Sequence, residues 1–262
     1  MQTQINPFTA ALRGGQKQLG VWVSLGSGFG AEVLRGSGFD WALLDMEHSP
    51  TEISAILNQL QVFADTKTTA IVRPPWNDSV LVKRLLDIGA RGLLFPMVQN
   101  PDEARAAVAA TRYPPRGIRG VSASTRATGF GRVTDYFQRI EDETTVVLQL
   151  ESVAALDQAT DIAAVDGVTG MFFGPADIGA DMGLLGTPMH PDIWARIRPV
   201  ARALAAKGVP VGTIVTNPDF AADLLANEFT FVAIASDTAL LATGADRALA
   251  EMRKRLDPGS AS

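Results

Sequence analysis

The sequence predicts an α/β fold of the (β/α)8 TIM barrel class, and three observations lead to this prediction. Eight short apolar runs recur along the chain, and segments with helical spacing of apolar residues separate them. The runs are nearly continuous in hydrophobicity rather than alternating, which is typical of parallel strands covered on both faces. Polar and ionisable residues collect where several runs end, and the βα-loops of such a barrel share one face. A length of 262 residues suits this class, which typically takes about 250 residues.

The apolar runs have the length and the β-branched or apolar content of buried strands. The eight predicted strands are Gly20–Leu25, Phe39–Asp45, Thr69–Arg73, Gly92–Met97, Thr145–Leu150, Gly170–Gly174, Val209–Val215 and Phe229–Ala235. Some of the segments between them begin after Pro, Ser or Asn, and others end close to a Gly, as helices do. The predicted helices are Ala31–Leu34, Thr51–Phe63, Ser79–Ile88, Asp102–Ala110, Val153–Ala163, Asp192–Ala206 and Pro218–Ala226. This regular alternation predicts parallel strands joined by right-handed crossovers.

One long segment, Tyr113–Asp142, interrupts the alternation and is rich in Gly, Pro and Arg. It lies between the fourth and fifth predicted strands, and a segment of this length inside a compact domain is more often functional than idle. We expect its first half to border the mouth of the active site or a contact between subunits. No linker or low-complexity tract divides the chain, so residues 1–262 are predicted to form a single barrel domain, with Asp257–Ser262 as a frayed tail.

The composition excludes several classes of function. The net charge is -5 and no run of Lys and Arg occurs, so nothing favours a nucleic acid partner. The chain has no cysteine, which excludes disulfides, thiolate nucleophiles and cysteine-ligated metals. Met1–Lys17 is polar and no stretch of about 18 apolar residues occurs, so neither a signal peptide nor a membrane partner is expected. We expect a soluble cytoplasmic protein.

Glu151 and Asp177 are the candidate metal ligands, since each follows a predicted strand at its carboxyl end. Hard oxygen donors without cysteine suit Mg²⁺ or Mn²⁺, and two carboxylates leave coordination positions for water and a chelating substrate. Each residue alone is better explained as an acidic group at a helix N-terminus, which the helix dipole favours. The occurrence of the pair at two strand ends favours the metal site.

Arg73 and Gln149 are the candidate substrate-binding residues. Arg73 closes the third predicted strand, where a guanidinium can stabilise an enolate or bind a carboxylate through two hydrogen bonds. Its alternative fate is that of an ordinary surface arginine. Gln149 lies two residues before Glu151 and therefore points to the same side of its strand. It either binds substrate or satisfies the barrel interior.

His48 is the candidate proton carrier, because histidine exchanges protons near neutral pH. Asp87 lies near a predicted helix end where the dipole disfavours an acid, which suggests a partner, and a His48–Asp87 dyad would supply one. Asp45 competes for the same role. A lone histidine is more often structural than catalytic, and His190, in a loop before Pro191, is interpreted as structural or exposed.

Other catalytic patterns are weak or absent. No lysine closes a predicted strand, which disfavours a Schiff-base mechanism, since that mechanism needs a desolvated lysine inside the barrel. The glycines of Gly26–Gly30 do not have the spacing of a dinucleotide-binding loop, and a tight βα-turn explains them.

Several motifs in the chain together resemble one known family. They are Leu44–Pro50, Val72–Pro74, Leu85–Ala90, Pro115–Val121, Gln149–Ser152 and Phe173–Asp177. Their order and combination are similar to those of the metal-dependent, class II pyruvate aldolases of the 4-hydroxy-2-oxoheptanedioate aldolase family. The 2-dehydro-3-deoxyglucarate and 2-keto-3-deoxyrhamnonate aldolases belong to the same group.

This resemblance implies a barrel of the phosphoenolpyruvate/pyruvate type, often assembled as a hexamer (a trimer of dimers) with a C-terminal helix exchanged between subunits. The apolar, Ala-rich segment Asp237–Arg253 permits such an exchange. The resemblance also implies a divalent cation (Mg²⁺, Mn²⁺ or Co²⁺) held by Glu151 and Asp177. Pyruvate would chelate that cation.

Further roles follow from the resemblance alone. Backbone N–H groups around Gly174, Pro175 and Ala176 would contact the pyruvate carboxylate. Arg73 would stabilise the enolate oxygen, with Gln149 close to it. His48, oriented by Asp87 and assisted by Asp45 or a bound water, would move the proton of the aldol hydroxyl. The resemblance is least decisive at Ser122–Gly131 and Leu184–Pro191, where we expect the acceptor to be recognised.

The resulting hypothesis is a lyase that reversibly cleaves 4-hydroxy-2-oxo acids to an aldehyde and pyruvate, or a close analogue such as hydroxypyruvate. One alternative keeps the enolate chemistry but breaks another bond, as in an oxaloacetate-type decarboxylase or an acyl-CoA lyase. Another is a non-catalytic barrel that binds small acids. The combination of acid, base, metal and oxyanion residues disfavours the latter.

Overall fold

The computed structural model describes residues 1–256 and contains a closed barrel of eight parallel strands in sequential order. The strands are β1 (Gln18–Val23), β2 (Trp41–Asp45), β3 (Thr69–Arg73), β4 (Gly92–Phe95), β5 (Thr145–Leu150), β6 (Gly170–Phe173), β7 (Val211–Ile214) and β8 (Phe231–Ser236). Each pairs with its neighbours in the chain, and β1 closes the barrel against β8. The predicted (β/α)8 fold is confirmed, and all eight predicted strands are present with bounds shifted by at most two residues.

Helices surround the barrel. They are α1 (Pro7–Arg13), α2 (Gly28–Arg35), α3 (Ile53–Phe63), α4 (Ser79–Asp87), α5 (Pro101–Thr111), α6 (Tyr136–Arg139), α7 (Val153–Asp157), α8 (Ala159–Ala163), α9 (Pro175–Asp181), α10 (Pro191–Ala206), α11 (Pro218–Asn227) and α12 (Asp237–Leu256). Side chains of Ser27, Asp78 and Asn100 cap three of them by accepting hydrogen bonds from first-turn N–H groups. The helix predicted over 153–163 is two short helices, α7 and α8, and α1, α6 and α9 were not predicted.

The interior of the barrel is filled with aromatic side chains, so that it is a packed core rather than a channel. Trp41 and Phe231 face inward, and Phe8 of α1 packs against both with ring centroids 5.6 Å apart. Gly20 makes room for the indole, because a Cβ atom there would lie 2.1 Å from Trp41. Helix α1 thus plugs the amino-terminal end of the barrel. The opposite end, where the strands have their carboxyl termini, is left free to carry an active site.

The direction of α4 decides where Asp87 lies. The helix starts at Ser79, just after β3 has ended, and finishes at Asp87, shortly before β4 begins. It therefore runs from the carboxyl-terminal end of the barrel to the amino-terminal end, about 13 Å away at 1.5 Å per residue. Asp87 and the carboxyl-terminal ends of the strands lie at opposite ends of the molecule.

The long irregular segment lies at the amino-terminal end as well. It follows α5, which like α4 has returned to that end, and it packs on the end of α4. Ala127 N donates to Asp87 O (3.1 Å), and Arg126 Nη1 donates to Ile88 O (2.8 Å). Within one chain, the expectation that this segment borders the mouth of the active site is wrong, because a segment between a helix and the next strand belongs to the other end of the barrel.

None of the helices within residues 1–256 combines the length and the apolar character that crossing a bilayer requires.

Candidate active site

The carboxyl ends of β2 and β3 carry a buried ion pair. Asp45 and Arg73 are direct neighbours in the register of the two strands. Arg73 Nε donates to Asp45 Oδ1 and Arg73 Nη2 to Asp45 Oδ2, both at 2.8 Å, and Arg73 Nη1 lies 2.8 Å from Glu47 Oε2. Asp45 is 1% exposed and Arg73 is 5% exposed. The guanidinium is thereby held in one orientation between two carboxylates.

Trp22 of β1 completes this arrangement. Its Nε1 donates to Asp45 Oδ2 at 3.2 Å, and Arg73 Cζ lies 4.8 Å from the centroid of the indole ring. Burial alone would raise the pKa of Asp45, but the hydrogen bonds and charge of Arg73 outweigh it and hold that pKa below its usual value. A carboxylate bound in this way carries no exchangeable proton near neutral pH. We therefore interpret Asp45 as the residue that orients Arg73.

Glu151, just after β5, is fixed by two donors. Gln149 Nε2 donates to its Oε1 at 2.6 Å, and the backbone N–H of Met97 donates to its Oε2 at 2.8 Å. The prediction that Gln149 and Glu151 point to the same side is confirmed. Met97 has a φ of 53°, a left-handed conformation that is uncommon for a residue with a side chain. Backbone strain of this kind clusters at functional sites.

The carboxylates of the site repel one another. Burial raises the pKa of Glu151 to about 8, and repulsion by Glu47 and Asp177 adds to this, against the hydrogen bond from Met97. Burial likewise raises the pKa of Glu47. Arg73 pairs with Asp45 and Glu47 and lies near Glu151, while Asp177 lies near enough to raise the pKa of both Glu47 and Glu151. A divalent cation would relieve the repulsion among these carboxylates.

The donor set fits a cation that also binds substrate. Gln149 Oε1 is buried and has no hydrogen-bond partner among residues 1–256, so an acceptor oxygen remains free beside Glu151. In the same residues, no group of three or more His, Asp and Glu side chains has the arrangement of a complete metal site. Glu151 and Asp177 would therefore supply two ligands and leave the remaining positions to water and substrate, as Mg²⁺ commonly does.

Gly174 separates β6 from α9 and lies against Glu151. A Cβ atom at this position would lie 2.9 Å from both Cγ and Oε1 of Glu151 and 3.3 Å from Gln149 Nε2. Helix α9 then begins at Pro175 without a side-chain cap, which leaves the first-turn N–H groups of the exposed Ala176 and Asp177 available. The resemblance placed the substrate carboxylate at these residues.

This contact yields a prediction for Gly174→Ala. The added methyl group must push Glu151 away from Met97, so we expect the affinity for Mn²⁺ to fall at least about tenfold, as for the loss of an outer-shell contact. The fold should persist, because Gly174 has an ordinary φ of -96°. Titration calorimetry measures the affinity, and Gly36→Ala, at a position with an ordinary φ of -87° and no atom within 4 Å of the added Cβ, is the control. Unchanged Mn²⁺ affinity in Gly174→Ala would contradict the tight packing inferred here.

His48 and Asp87 do not meet within one chain. His48 is exposed in the loop after β2, near enough to Glu47 to lower its pKa by charge. Asp87 lies at the other end of α4, where Arg119 Nη2 donates to its Oδ1 at 3.1 Å. The dyad therefore stays a prediction, and only a second copy of the chain could complete it. His190 is structural as expected, since its Nδ1 accepts from Asp192 N (3.3 Å) at the start of α10.

Three further residues contribute to the site. Glu47 follows the second predicted strand together with Asp45 and His48, so its position there is visible in the sequence. Trp22 is the next-to-last residue of β1 and points into the barrel, but an apolar strand residue does not indicate a functional role by its type. Met97 contributes only its backbone N–H, a group that cannot be predicted from the type of residue.

The chain is similar to several known proteins. The family described as HpcH/HpaI aldolase/citrate lyase matches residues 18–243. The 4-hydroxy-2-oxo-heptane-1,7-dioate aldolase of Salmonella dublin is 47% identical over 242 residues, which are 92% of this chain and 92% of that protein. The crystal structure of an HpcH/HpaI aldolase/citrate lyase family protein from Burkholderia cenocepacia J2315 has a TM-score of 0.91 and 37% identity over 95% of this chain and 99% of that one.

A more distant similarity concerns the fold alone. The citrate lyase beta subunit of M. tuberculosis, solved in complex with oxaloacetate and magnesium, is 15% identical with a TM-score of 0.55 over 86% of this chain and 93% of that chain.

Proposed function

The chain belongs to the HpcH/HpaI aldolase/citrate lyase family and is a carbon–carbon lyase, an aldolase that cleaves 4-hydroxy-2-oxo acids; from this premise we propose which residues perform the cleavage. The products are an aldehyde and pyruvate, or a close analogue such as hydroxypyruvate. The observation that carries the proposal is the fixed guanidinium of Arg73 on a buried site that also holds Glu151.

Glu151 and Asp177 hold a divalent cation, which is Mg²⁺, Mn²⁺ or Co²⁺. Its chemistry when bound is that of a Lewis acid that stabilises negative charge on the keto oxygen. The excess of carboxylates around Arg73 and the free oxygen of Gln149 support this assignment. So does the magnesium complex of the M. tuberculosis citrate lyase beta subunit, as far as a shared fold extends.

The 2-oxo acid binds between β3, β5 and the start of α9. Its carboxylate accepts hydrogen bonds from the uncapped first turn that begins at Gly174, where Pro175 fixes the turn and Ala176 offers its N–H. Arg73 faces the oxygen that becomes negative when the carbon–carbon bond breaks, and Gln149 lies beside it. Because Asp45 and Trp22 fix the guanidinium in advance, its charge stabilises the enolate without reorganisation.

His48 takes the proton of the C4 hydroxyl during cleavage and returns it in the reverse direction. Its exposed position after β2 allows it to reach a hydroxyl several atoms from Arg73. Asp87 orients His48 from a second copy of the chain, because the two residues lie at opposite ends of one barrel. Asp45 assists indirectly, through Arg73.

The protein is a homo-oligomer, a hexamer built as a trimer of dimers with α12 exchanged between subunits. Helix α12 contacts its own barrel mainly at its start, where Asp237 accepts from Ser24 N and Leu25 N. Apolar side chains along the rest of the helix remain exposed in a single chain, as expected for a helix that packs on a neighbour. They are Leu240, Leu241, Leu249, Met252 and Leu256.

The test is the release of pyruvate from 4-hydroxy-2-oxoheptanedioate and related hydroxy-oxo acids. The protein is assayed after EDTA treatment and again with Mg²⁺, Mn²⁺ or Co²⁺ restored. Activity that disappears with the chelator and returns with one of the ions supports the metal assignment. Turnover that survives chelation contradicts the assignment of Glu151 and Asp177.

His48→Ala should separate two reactions of the site. Cleavage of the aldol needs a base on the C4 hydroxyl, so we expect a loss of about 10²- to 10⁴-fold. Decarboxylation of oxaloacetate passes through the same enolate but needs no such base, so it should be retained. His190→Ala, which removes the other histidine from the start of α10, is the control. An equal loss of both reactions in His48→Ala would argue against the role of His48.

Binding of the divalent cation should depend on pH. In the metal-free protein the pKa of Glu151 is raised to about 8, so at pH 7 a proton occupies the carboxyl group that the cation needs. Protons therefore compete with the cation, and apparent affinity should rise about tenfold per pH unit below pH 8 and level off above it. Calorimetric titrations with Mg²⁺ between pH 6 and 9 measure this slope. An affinity that is flat across this range would contradict the raised pKa of Glu151.

A further inference from the structure

A buried arginine lies at the end of the barrel opposite the active site. Arg119, in the segment between α5 and α6, is 2% exposed. Its Nη2 donates both to Asp87 Oδ1 and to the Tyr136 hydroxyl, each at 3.1 Å. Its Cζ lies 4.6 Å from the ring centroid of Tyr113 and 5.8 Å from that of Tyr136. The guanidinium is therefore enclosed by two aromatic rings and faces one carboxylate.

This environment is costly for a cation. Arg119 Nε and Nη1 are buried and have no hydrogen-bond partner among residues 1–256, and the same is true of the Tyr113 hydroxyl. A buried charge with so few partners contributes little to stability, and an apolar side chain of similar size is often tolerated as well or better. Packing alone does not explain an arginine here, so its role follows from the residue to which it donates a hydrogen bond.

Arg119 holds Asp87, the last residue of α4. The negative end of the helix dipole lies at Asp87 and disfavours an acidic side chain at this position. Arg119 offsets this unfavourable interaction and fixes one carboxylate oxygen. The side chain of Asp87 is nevertheless 23% exposed, and its second oxygen accepts no hydrogen bond from residues 1–256. The carboxylate is thus held from behind and presented at the surface.

We propose that Arg119, braced by Tyr113 and Tyr136, is a positioning residue for aldol cleavage: it orients Asp87 so that its outward oxygen can accept a hydrogen bond from His48 of a second copy. This inference rests on the proposed roles of His48 and Asp87. Arg119 itself touches neither substrate nor cation. It acts on the proton-transfer half of the reaction and leaves the half performed by Arg73, Glu151 and Asp177 unaltered.

The test compares Arg119→Met with Asp87→Asn and with the double variant, all as the full-length oligomer. Methionine keeps an apolar body between the two rings but removes the donors. We expect kcat for aldol cleavage to fall about 10- to 100-fold, by analogy with the loss of a residue that orients a metal-ligating side chain. Decarboxylation of oxaloacetate and affinity for Mn²⁺ should not change. The double variant should be no slower than Asp87→Asn, because the two residues act as one unit.

Two further variants make the comparison specific. Arg116→Met removes a neighbouring arginine that pairs with Glu141 and Asp166 rather than Asp87, and it should cleave at the wild-type rate. Arg119→Lys keeps a cation but not the planar fork of the guanidinium. Compared with Arg119→Met, it should therefore recover part of the rate and have an acidic limb of the kcat/KM pH profile that lies closer to the wild-type position. Arg119→Lys also serves if the methionine variant does not fold.

Each outcome separates this inference from the proposed function. Full cleavage by Asp87→Asn would overturn the role of Asp87 and the inference with it. A slow Asp87→Asn beside a fully active Arg119→Met would overturn the inference alone. Additive losses in the double variant, or an equal loss of decarboxylation in Arg119→Met, would make Arg119 a purely structural residue and would also overturn it.

Discussion

Arg73→Met is expected to lower kcat for aldol cleavage by about 10²- to 10³-fold and to destabilise the fold at the same time. The kinetic loss follows because a preorganised cation at a developing oxyanion contributes about 10²–10³ in rate, and Arg73 faces the enolate directly. The destabilisation follows because Asp45, 1% exposed, would lose both of its guanidinium hydrogen bonds. Breaking a buried ion pair by removing one partner costs about 3–5 kcal/mol. Steady-state kinetics and chemical denaturation measure the two effects.

The two consequences of Arg73→Met can be separated. Adding Asp45→Asn removes the unpaired buried carboxylate, so the double variant should regain much of the stability but none of the activity. Arg198→Met is the control, because Arg198, although more exposed than Arg73, likewise pairs with a buried carboxylate, that of Glu228, but on the outside of the barrel. It should lower stability and leave kcat of the folded protein unchanged. Recovery of activity in the Arg73→Met, Asp45→Asn double variant would refute the role assigned to Arg73.

The strands could be predicted from the sequence because a parallel barrel buries both faces of each strand. The predicted bounds of Thr69–Arg73 and Thr145–Leu150 match the structure to the residue, since in each strand three consecutive apolar residues precede a polar side chain near the carboxyl end. Helix α1 could not be located in this way. It has only seven residues, and its formation depends on Phe8 and Leu12 entering the open end of a barrel that the later strands build.

The same distinction applies to the site. Asp45 and Arg73 could be placed together because both close adjacent strands, and the register brings them side by side. The bidentate geometry that makes Asp45 a support for Arg73 could not be inferred from spacing. The dipole at the helix end and the family resemblance both point to Asp87 as the partner of His48, but neither says whether the two residues belong to one chain. The direction of a crossover helix places the end of α4 at the other end of its own barrel, so topology restricts this dyad to two copies of the chain.

Glu151→Gln should abolish binding of the divalent cation while leaving the metal-free fold intact or more stable. The amide has the shape of the carboxyl group and still accepts from the backbone N–H of Met97. Its new N–H₂ meets Gln149, whose unpartnered Oε1 can accept after the Gln149 amide turns over. Without the anionic ligand we expect affinity for Mn²⁺ to fall by more than about 100-fold, beyond the loss typical of an outer-shell partner.

The stability of the metal-free proteins should then diverge with pH. Burial raises the pKa of Glu151 from its ordinary 4.5 to about 8, so folding favours the protonated form. The stability that this group contributes is complete below pH 4.5 and is lost as the pH rises through 8. Glu151→Gln does not titrate, so in EDTA it should match the wild type at pH 5 and melt at a higher temperature at pH 9.

Glu228→Gln is the matched control for this trade between binding and stability. Glu228 is also buried, but Arg198 and Arg202 pair with it, so its carboxylate is needed by the fold rather than by a ligand. Its replacement should lower the melting temperature and leave affinity for Mn²⁺ unchanged, which is the reverse of both effects at Glu151. A Glu151→Gln protein that still binds Mn²⁺ tightly, or that melts below the wild type in EDTA at pH 9, would show that Glu151 serves the fold. Loss of Mn²⁺ binding together with a higher melting temperature at pH 9 would mean that the barrel keeps an unfavourable buried carboxylate because the cation requires it.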